Sequence, residues 1–324
     1  MADQPARALI VYGDGLLRAV EPRHFRIHAL AAAGCCGFLA LRTQPDQECN
    51  PSSDDGENRV VGELAQLLDL HDIYQKKAAA RVGVTPDTTR AEDEKIPSMS
   101  DRFMGMKACM YTNSGPAAAL GKEAGFSLLE LQEGNSVIDD HAPPDASTTA
   151  VRFLSLLGLL EGTANTEQMN FDLLLLHLSA KEHLCSKQID WVDALLGALQ
   201  ASAQAGTKAG SHLYLIVVLG FGPVESSKDD GYPLVVSDER LAPKLAELFP
   251  QQSYKRKGGH PVEDVREHHP LLAAYQLDSV TRRDDVKMFS YDEFQKSSGN
   301  LSILVDRFLH EIAFKLWKSP KYGA

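Results

Sequence analysis

The chain has 324 residues, of which 44% are hydrophobic, and a formal net charge of -11 at pH 7. This negative charge disfavours nucleic acid or an anionic membrane surface as the main partner, because such surfaces need an excess of lysine and arginine. The longest apolar stretches are too short to cross a bilayer, so no membrane span is expected. The N-terminus has no basic region followed by an apolar segment, so no secretory signal is expected. Five cysteines without metal-ligand spacing suit a reducing compartment, which predicts a cytoplasmic location.

Apolar runs alternate with amphipathic stretches along the chain. In chain order the pattern predicts strand 8–12, helix 23–33, strand 37–41, helix 57–68, strand 107–112, helix 115–124, strand 126–131, helix 147–161, strand 171–178, helix 189–203, strand 212–219 and a C-terminal helix over 301–317. Such alternation implies right-handed crossovers and a mostly parallel sheet with helices on both faces. The predicted fold class is therefore α/β, as one domain over residues 1–324.

Two polar stretches interrupt this alternation. Residues 85–101 are charged, and residues 225–269 are rich in Gly, Pro, Ser and charge, with a helix-like piece over 241–248. Both are expected to be surface excursions from the domain.

Asp14 stands where the first apolar run stops, between Gly13 and Gly15. In open α/β sheets ligands bind at the carboxyl ends of the strands, and flanking glycines let the backbone approach a ligand or metal closely. The alternative is that Asp14 is a turn residue or the N-cap of the next helix.

A second polar segment, Asn50-Pro51-Ser52-Ser53-Asp54, follows the second predicted strand and precedes a helix. A serine at a helix N-terminus lies near backbone N–H donors that suit a phosphate. An ordinary N-cap explains the same pattern.

A third polar segment follows the predicted central strand and runs from His177 through Glu182 and His183. His and Glu are residue types that bind zinc, manganese or magnesium. A core histidine and a solvated loop are the alternatives.

Taken in order, these segments resemble the archaeal-type cofactor-independent phosphoglycerate mutases, members of the alkaline phosphatase superfamily. The resemblance rests on residues 8–15, 50–54, 106–131, 171–186 and 284–302. It implies an alkaline-phosphatase-like fold, with Asp14 as a metal ligand and Ser53 as the phosphorylated nucleophile. It also implies a phosphorylated small molecule as ligand.

The chain departs from the family at its two-metal centre. The family has an Asp and a His where this chain has Glu182 and Ser186, and it has Gly-Asp-His-Ser where this chain has Gly220-Phe221-Gly222-Pro223. Glu can replace Asp as a ligand for a hard cation, whereas Ser is a poor substitute for His.

The remaining candidates for metal binding are Asp14, Ser53, Glu182 and, as the match for the family's last histidine, His268 ahead of Pro270. His269 and His260 are alternative matches for that histidine. The expectation is at most one weak site for a divalent cation, manganese or magnesium, with zinc as the alternative.

Three functions are compatible with these residues. The first is an active metal-dependent phosphatase or phosphomutase that uses Ser53. The second is a pseudoenzyme that keeps the crevice as a binding or regulatory module. The third is a structural or regulatory subunit that binds a protein partner. The family's inserted lid domain has no counterpart, because only residues 69–106 separate the segments that flank it. Loss or strong reduction of phosphoryl transfer is therefore the favoured interpretation.

Overall fold

The computed structural model describes residues 5–43, 55–81, 96–129, 144–160, 170–180, 183–223, 231–234, 256–257, 260–262, 264–278, 280–297 and 302–320. In chain order its strands are β1 (Arg7–Asp14), β2 (Cys35–Ala40), β3 (Ala108–Thr112), β4 (Ser127–Leu128), β5 (Leu173–Ser179), β6 (Leu213–Leu219), β7 (Arg256–Lys257), β8 (His260–Pro261), β9 (Leu271–Gln276) and β10 (Ser302–Leu304). Eight of them form one sheet in the order β10-β2-β9-β6-β1-β5-β3-β4, and β7 pairs with β8.

The middle of the sheet consists of β6, β1 and β5, which run parallel to one another. Every residue of β6 is buried, as are the residues of β1 from Ala8 and of β5 up to Leu178. A run that is apolar at every position suits a strand covered on both faces, and each fully buried Leu, Ile or Val contributes roughly 1.5–3 kcal/mol. The predicted central strands over 171–178 and 212–219 are confirmed within two residues at each end.

Helices cover both faces of the sheet. They are α1 (Phe25–Ala33), α2 (Asp55–Leu67), α3 (His71–Arg81), α4 (Met99–Arg102), α5 (Gly115–Glu123), α6 (Ala146–Leu156), α7 (Cys185–Ser202), α8 (Lys208–His212), α9 (Tyr291–Ser297) and α10 (Phe308–Lys315), with 3-10 turns at Leu17–Ala19 and Val305–Arg307. One buried cluster joins α1, α6, α7 and α9 to the sheet, and a second joins α2, α4, α5 and α10 to its other face. The α/β class and the mostly parallel sheet are confirmed.

Strand β9 is not predicted by the apolar pattern. It lies between β2 and β6 in the eight-stranded sheet and runs antiparallel to both. The run Leu271–Gln276 is short and follows a polar stretch, so its strand character comes from pairing with two distant strands.

The C-terminal prediction is partly wrong. Residues Ser302–Leu304 pair with β2, and the helix begins at Phe308 rather than at residue 301. Of the strand predicted over 126–131, Ser127–Leu128 form β4, and residues 130–131 lie outside the described residues. The helix-like piece at 241–248 lies outside the described residues.

Within the described ranges, no helix is both long enough and apolar enough to cross a membrane.

Candidate functional site

The candidate site lies at the carboxyl edge of the sheet, where β1 and β6 end side by side. Gly220 donates its N–H to the Gly13 carbonyl at 3.0 Å, and Ala180 donates its N–H to the Asp14 carbonyl at 2.9 Å. The βα alternation predicts that Asp14, Ser53, Glu182 and Phe221 converge at one edge of the sheet, because each follows an apolar strand-like run. Parallel pairing brings Asp14 and Phe221 to that edge. Ser53 and Glu182 lie outside the described residues.

Two glycines allow the two strand ends to approach closely. Gly15 and Gly222 have φ values of +80° and +78°, a region that L side chains rarely adopt. A Cβ atom on Gly222 would lie 2.8 Å from the Gly15 Cα atom. The turn after β1 thus packs directly against the turn after β6.

Asp14 is 1% exposed and is held by Arg59 of α2. The guanidinium donates from Nη1 to Oδ1 at 2.9 Å and from Nη2 to Oδ2 at 2.6 Å. This two-pronged contact engages both oxygens of the carboxylate. Burial lowers the pKa of Arg59, but the hydrogen bonds and charge of Asp14 outweigh it and leave that pKa above its ordinary value.

The ion pair continues into an alternating row of charges. Arg59 Nη1 lies 3.3 Å from Glu63 Oε2, one helical turn away on α2, and Glu63 Oε1 lies 3.2 Å from Arg266 Nη1. Arg266 also donates to the His269 carbonyl at 2.6 Å. Burial raises the pKa of Glu63, while Arg266 and Arg59 act in the opposite direction. We call Asp14, Arg59, Glu63 and Arg266 the charge row.

His177 and Tyr12 lie beside the charge row on neighbouring strands. The His177 side chain is fully buried, and its Nδ1 is 2.7 Å from the Thr112 hydroxyl. That hydroxyl already accepts the Ser114 N–H, so its hydrogen can be donated to Nδ1. His177 Nε2 and the Tyr12 hydroxyl are buried without a hydrogen-bond partner among the described residues. Burial lowers the pKa of His177 to about 4, so the ring is neutral at neutral pH.

His177 is therefore a buried histidine whose ring is bonded to a side chain. Its neighbour in the sheet, Tyr12, has its ring centroid 5.2 Å away.

Phe221 belongs to an aromatic cluster with Tyr232, His269 and Tyr291. Its ring stacks on Tyr232 with centroids 4.7 Å apart and meets His269 edge-on at 5.0 Å. Tyr232 in turn meets Tyr291 edge-on at 4.9 Å. The end of β6 thus contributes apolar packing at the place where the resemblance implies two metal ligands.

His268 and Ser186 make other contacts in the described part of the chain. The backbone of His268 forms a bridge with Pro233, and no hydrogen bond among the described residues joins its ring to Asp14. Ser186, on α7, accepts a hydrogen bond from Arg23 at 3.2 Å.

The described residues do not fit a two-metal centre. Both Asp14 oxygens face a guanidinium, Phe221 and Gly222 offer no side-chain ligand, and no group of three or more His, Cys, Asp or Glu in the described ranges is arranged to hold a cation.

Sequence reasoning missed Arg59, Glu63 and Arg266. The spacing of Arg59 and Glu63 was the available signal, because two opposite charges four residues apart pair on a helix. The helix directly follows the Ser53 segment, which places the pair near the strand ends.

Comparisons with known proteins were made by sequence and by structure. No family model matches the chain. No curated protein matches it either.

Solved structures do resemble this one. The PH0037 protein of Pyrococcus horikoshii has a TM-score of 0.53 and 12% identity, with 99% of each chain covered. The cofactor-independent phosphoglycerate mutase of Thermoplasma acidophilum has a TM-score of 0.45 and 11% identity, with 97% of this chain and all of that chain covered. The lipoteichoic acid synthase LtaP of Listeria monocytogenes has a TM-score of 0.47 and 9% identity, with 99% of this chain and 74% of that chain covered.

At these identities the likeness is one of fold. The first match supports the same α/β architecture over nearly the whole of both chains.

Proposed function

We propose that the chain is a phosphoglycerate-mutase-like protein of the alkaline phosphatase superfamily whose metal-dependent phosphoryl transfer is lost or much reduced. The observation that carries this proposal is the two-pronged contact between Arg59 and Asp14. Asp14 matches the position from which the family's first strand supplies a metal ligand.

A guanidinium cannot replace a divalent cation in this chemistry. It carries one charge, keeps its protons at any working pH and has no ligand positions to exchange. Phosphoryl transfer between two metals needs cations that neutralise both the attacking and the leaving oxygen. An Asp14 carboxylate that is already neutralised by Arg59 gives a metal little electrostatic gain, since the cation must first displace a buried ion pair.

The ligand supported best is a phosphorylated small molecule that binds without turnover. The support for this ligand is the position of the site, because ligands bind at the carboxyl ends of the strands in sheets of this kind. The role of Ser53 in this proposal is that of a residue near the ligand, not of a nucleophile.

The test is an assay of the purified protein with manganese or magnesium. We expect no interconversion of 2- and 3-phosphoglycerate, and phosphatase activity toward p-nitrophenyl phosphate that does not change on Ser53→Ala. Calorimetry with 3-phosphoglycerate should still detect binding.

Robust interconversion that disappears on Ser53→Ala would refute the proposal and establish an active mutase. Phosphatase activity that disappears on Ser53→Ala, without interconversion, would favour the metal-dependent phosphatase.

A further inference from the structure

A polar cavity lies at the edge of the sheet opposite to the candidate site, where β1, β5 and β6 begin. Its volume is about 250 Å³, and its walls come from the first residues of β1, the turn after α6, the segment before β5, and α8. Arg7 in this wall and Asp14 stand at the two ends of β1. They are seven residue steps apart along the strand, or roughly 23 Å at 3.3 Å per residue. The cavity is therefore distinct from the candidate site.

The lining of the cavity is basic. Arg7, Lys208 and His212 line it together with the Asn170 amide, and none of the described residues that line it is acidic. The chain as a whole carries a formal net charge of -11, so a patch of this sign stands out from its surroundings. A concave basic surface concentrates anions.

Arg7 is held in place by a buried carboxylate. Asp172, whose side chain is 8% exposed, accepts from Arg7 Nη1 and from the Lys107 N–H at 2.9 Å, and it lies 3.2 Å from Lys318 Nζ. One carboxylate therefore faces two cations, Arg7 and Lys318. The anchoring fixes the guanidinium at the wall before any ligand arrives, which lowers the entropic cost of binding.

Asn170 is positioned by a glycine on the facing turn. Gly158 has a φ of +67°, and a Cβ atom there would lie 2.8 Å from Asn170 Oδ1. The glycine thus allows the amide to pack against the backbone of the turn that closes the cavity.

We propose that this cavity binds a small oxyanion of the phosphate class, with Arg7, Lys208 and His212 as its ligands. The planar fork of a guanidinium and the ammonium of a lysine match the oxygens of phosphate. The volume is below the roughly 300–1,000 Å³ of sites for drug-sized ligands, which favours inorganic phosphate or a compact phosphomonoester. This inference does not depend on the function proposed for the other edge.

The test is isothermal titration calorimetry of the full chain with sodium phosphate, against sodium chloride at matched ionic strength. We expect saturable phosphate binding in the millimolar range or tighter. The variant Lys208→Gln/His212→Gln should weaken it at least tenfold, because it removes two charged or polar partners of the anion. Lys208 is exposed and His212 half-buried, so this variant leaves the core unchanged.

Two controls separate this site from other sources of binding. Lys187→Gln removes an exposed lysine near the carboxyl edge and should leave the affinity unchanged. Lys122→Gln, at an exposed position of α5, should also leave it unchanged, which excludes a general effect of surface charge. Absence of saturable binding at millimolar phosphate, or equal affinity in the Lys208→Gln/His212→Gln variant, would overturn the proposal.

Discussion

Arg59 is a cation fixed to the chain, held between two carboxylates that are almost completely buried. The exposed fractions of the Asp14 and Glu63 side chains are 1% and 4%, and that of Arg59 is 20%. Removing a buried charge on one side of such a pair leaves the other charge without compensation. The stability of this edge of the sheet therefore depends on the arginine.

We predict that Arg59→Gln destabilises the fold by about 3–5 kcal/mol, the usual cost of breaking a buried ion pair. Lys122→Gln, which changes an exposed lysine, should stay within about 0.5 kcal/mol of the parent chain. Urea unfolding followed by circular dichroism measures both. In the variant Asp14→Asn/Arg59→Gln the loss should be smaller than the sum of the two single losses. Strict additivity would show that the two side chains do not interact.

The sequence showed one half of this pair and missed the other. Asp14 was recognisable because a glycine-flanked carboxylate follows an apolar run, whereas Arg59 lies within a helix whose charges suit a solvated face. Which residue pairs with Asp14 depends on how α2 packs on the sheet, and no local sequence pattern reveals that packing. Arg266 is harder still, because it lies in a polar stretch without periodicity.

His177 should make stability depend on pH. Its pKa falls to about 4 on folding because burial disfavours the imidazolium. The unfolded chain, with an ordinary pKa near 6.5, binds the proton more readily between those two values. The contribution of neutral His177 to stability is therefore fully present above about pH 6.5. It decreases as the pH falls from about 6.5 to about 4, and His177 causes no further decrease below that.

Between pH 7 and pH 4, we predict that the free energy of unfolding falls by about 3 kcal/mol less in His177→Gln than in the parent chain. His183→Gln, at an exposed position, is the matched control and should follow the parent chain. The measurement is the free energy of unfolding in urea at both pH values. Parallel pH profiles for the parent and His177→Gln would contradict the burial argument.

At the scale of elements, the close packing of the turns after β1 and β6 shapes the candidate site. We predict that Gly222→Ala costs roughly 1–3 kcal/mol more than Gly105→Ala. Both glycines have a positive φ, +78° and +74°, so both variants share the conformational strain. Only at Gly222 does the new Cβ atom meet backbone, because nothing lies within 4 Å of the one on Gly105. Equal thermal unfolding midpoints in the two variants would show that the turns are not in contact.

Elements with a continuous apolar run were predictable, and elements made by pairing were not. The sequence predicts β5 and β6 because both faces of each strand are buried, so that nearly every position is apolar. Strand β9 and the three-residue β10 have short runs next to polar sequence, and their strand conformation depends on hydrogen bonds to β2 and β6. For the same reason the apolar pattern predicts a helix from residue 301, whereas α10 begins at Phe308.

At the scale of the whole molecule, the proposal that Arg59 takes the place of a metal predicts that stability does not depend on added metal. A ligand at a concentration equal to its Kd stabilises a protein by RT ln 2, or about 0.4 kcal/mol. We predict that excess EDTA, or millimolar manganese, shifts the thermal unfolding midpoint by no more than about 2 °C. Calorimetric or fluorescence thermal scans at fixed protein concentration test this. A rise of many degrees with manganese would indicate a tight site built from residues other than those of the charge row.

The central claim is that Arg59, rather than a metal ion, neutralises Asp14. The most direct measurement is an anomalous difference map from crystals grown with manganese, recorded at the manganese absorption edge. We predict no anomalous peak within coordination distance of the Asp14 carboxylate. We also predict clear density for the Arg59 side chain, with both terminal nitrogens within hydrogen-bond distance of that carboxylate. A strong peak bonded to Asp14, with the Arg59 side chain displaced from it, would contradict the account.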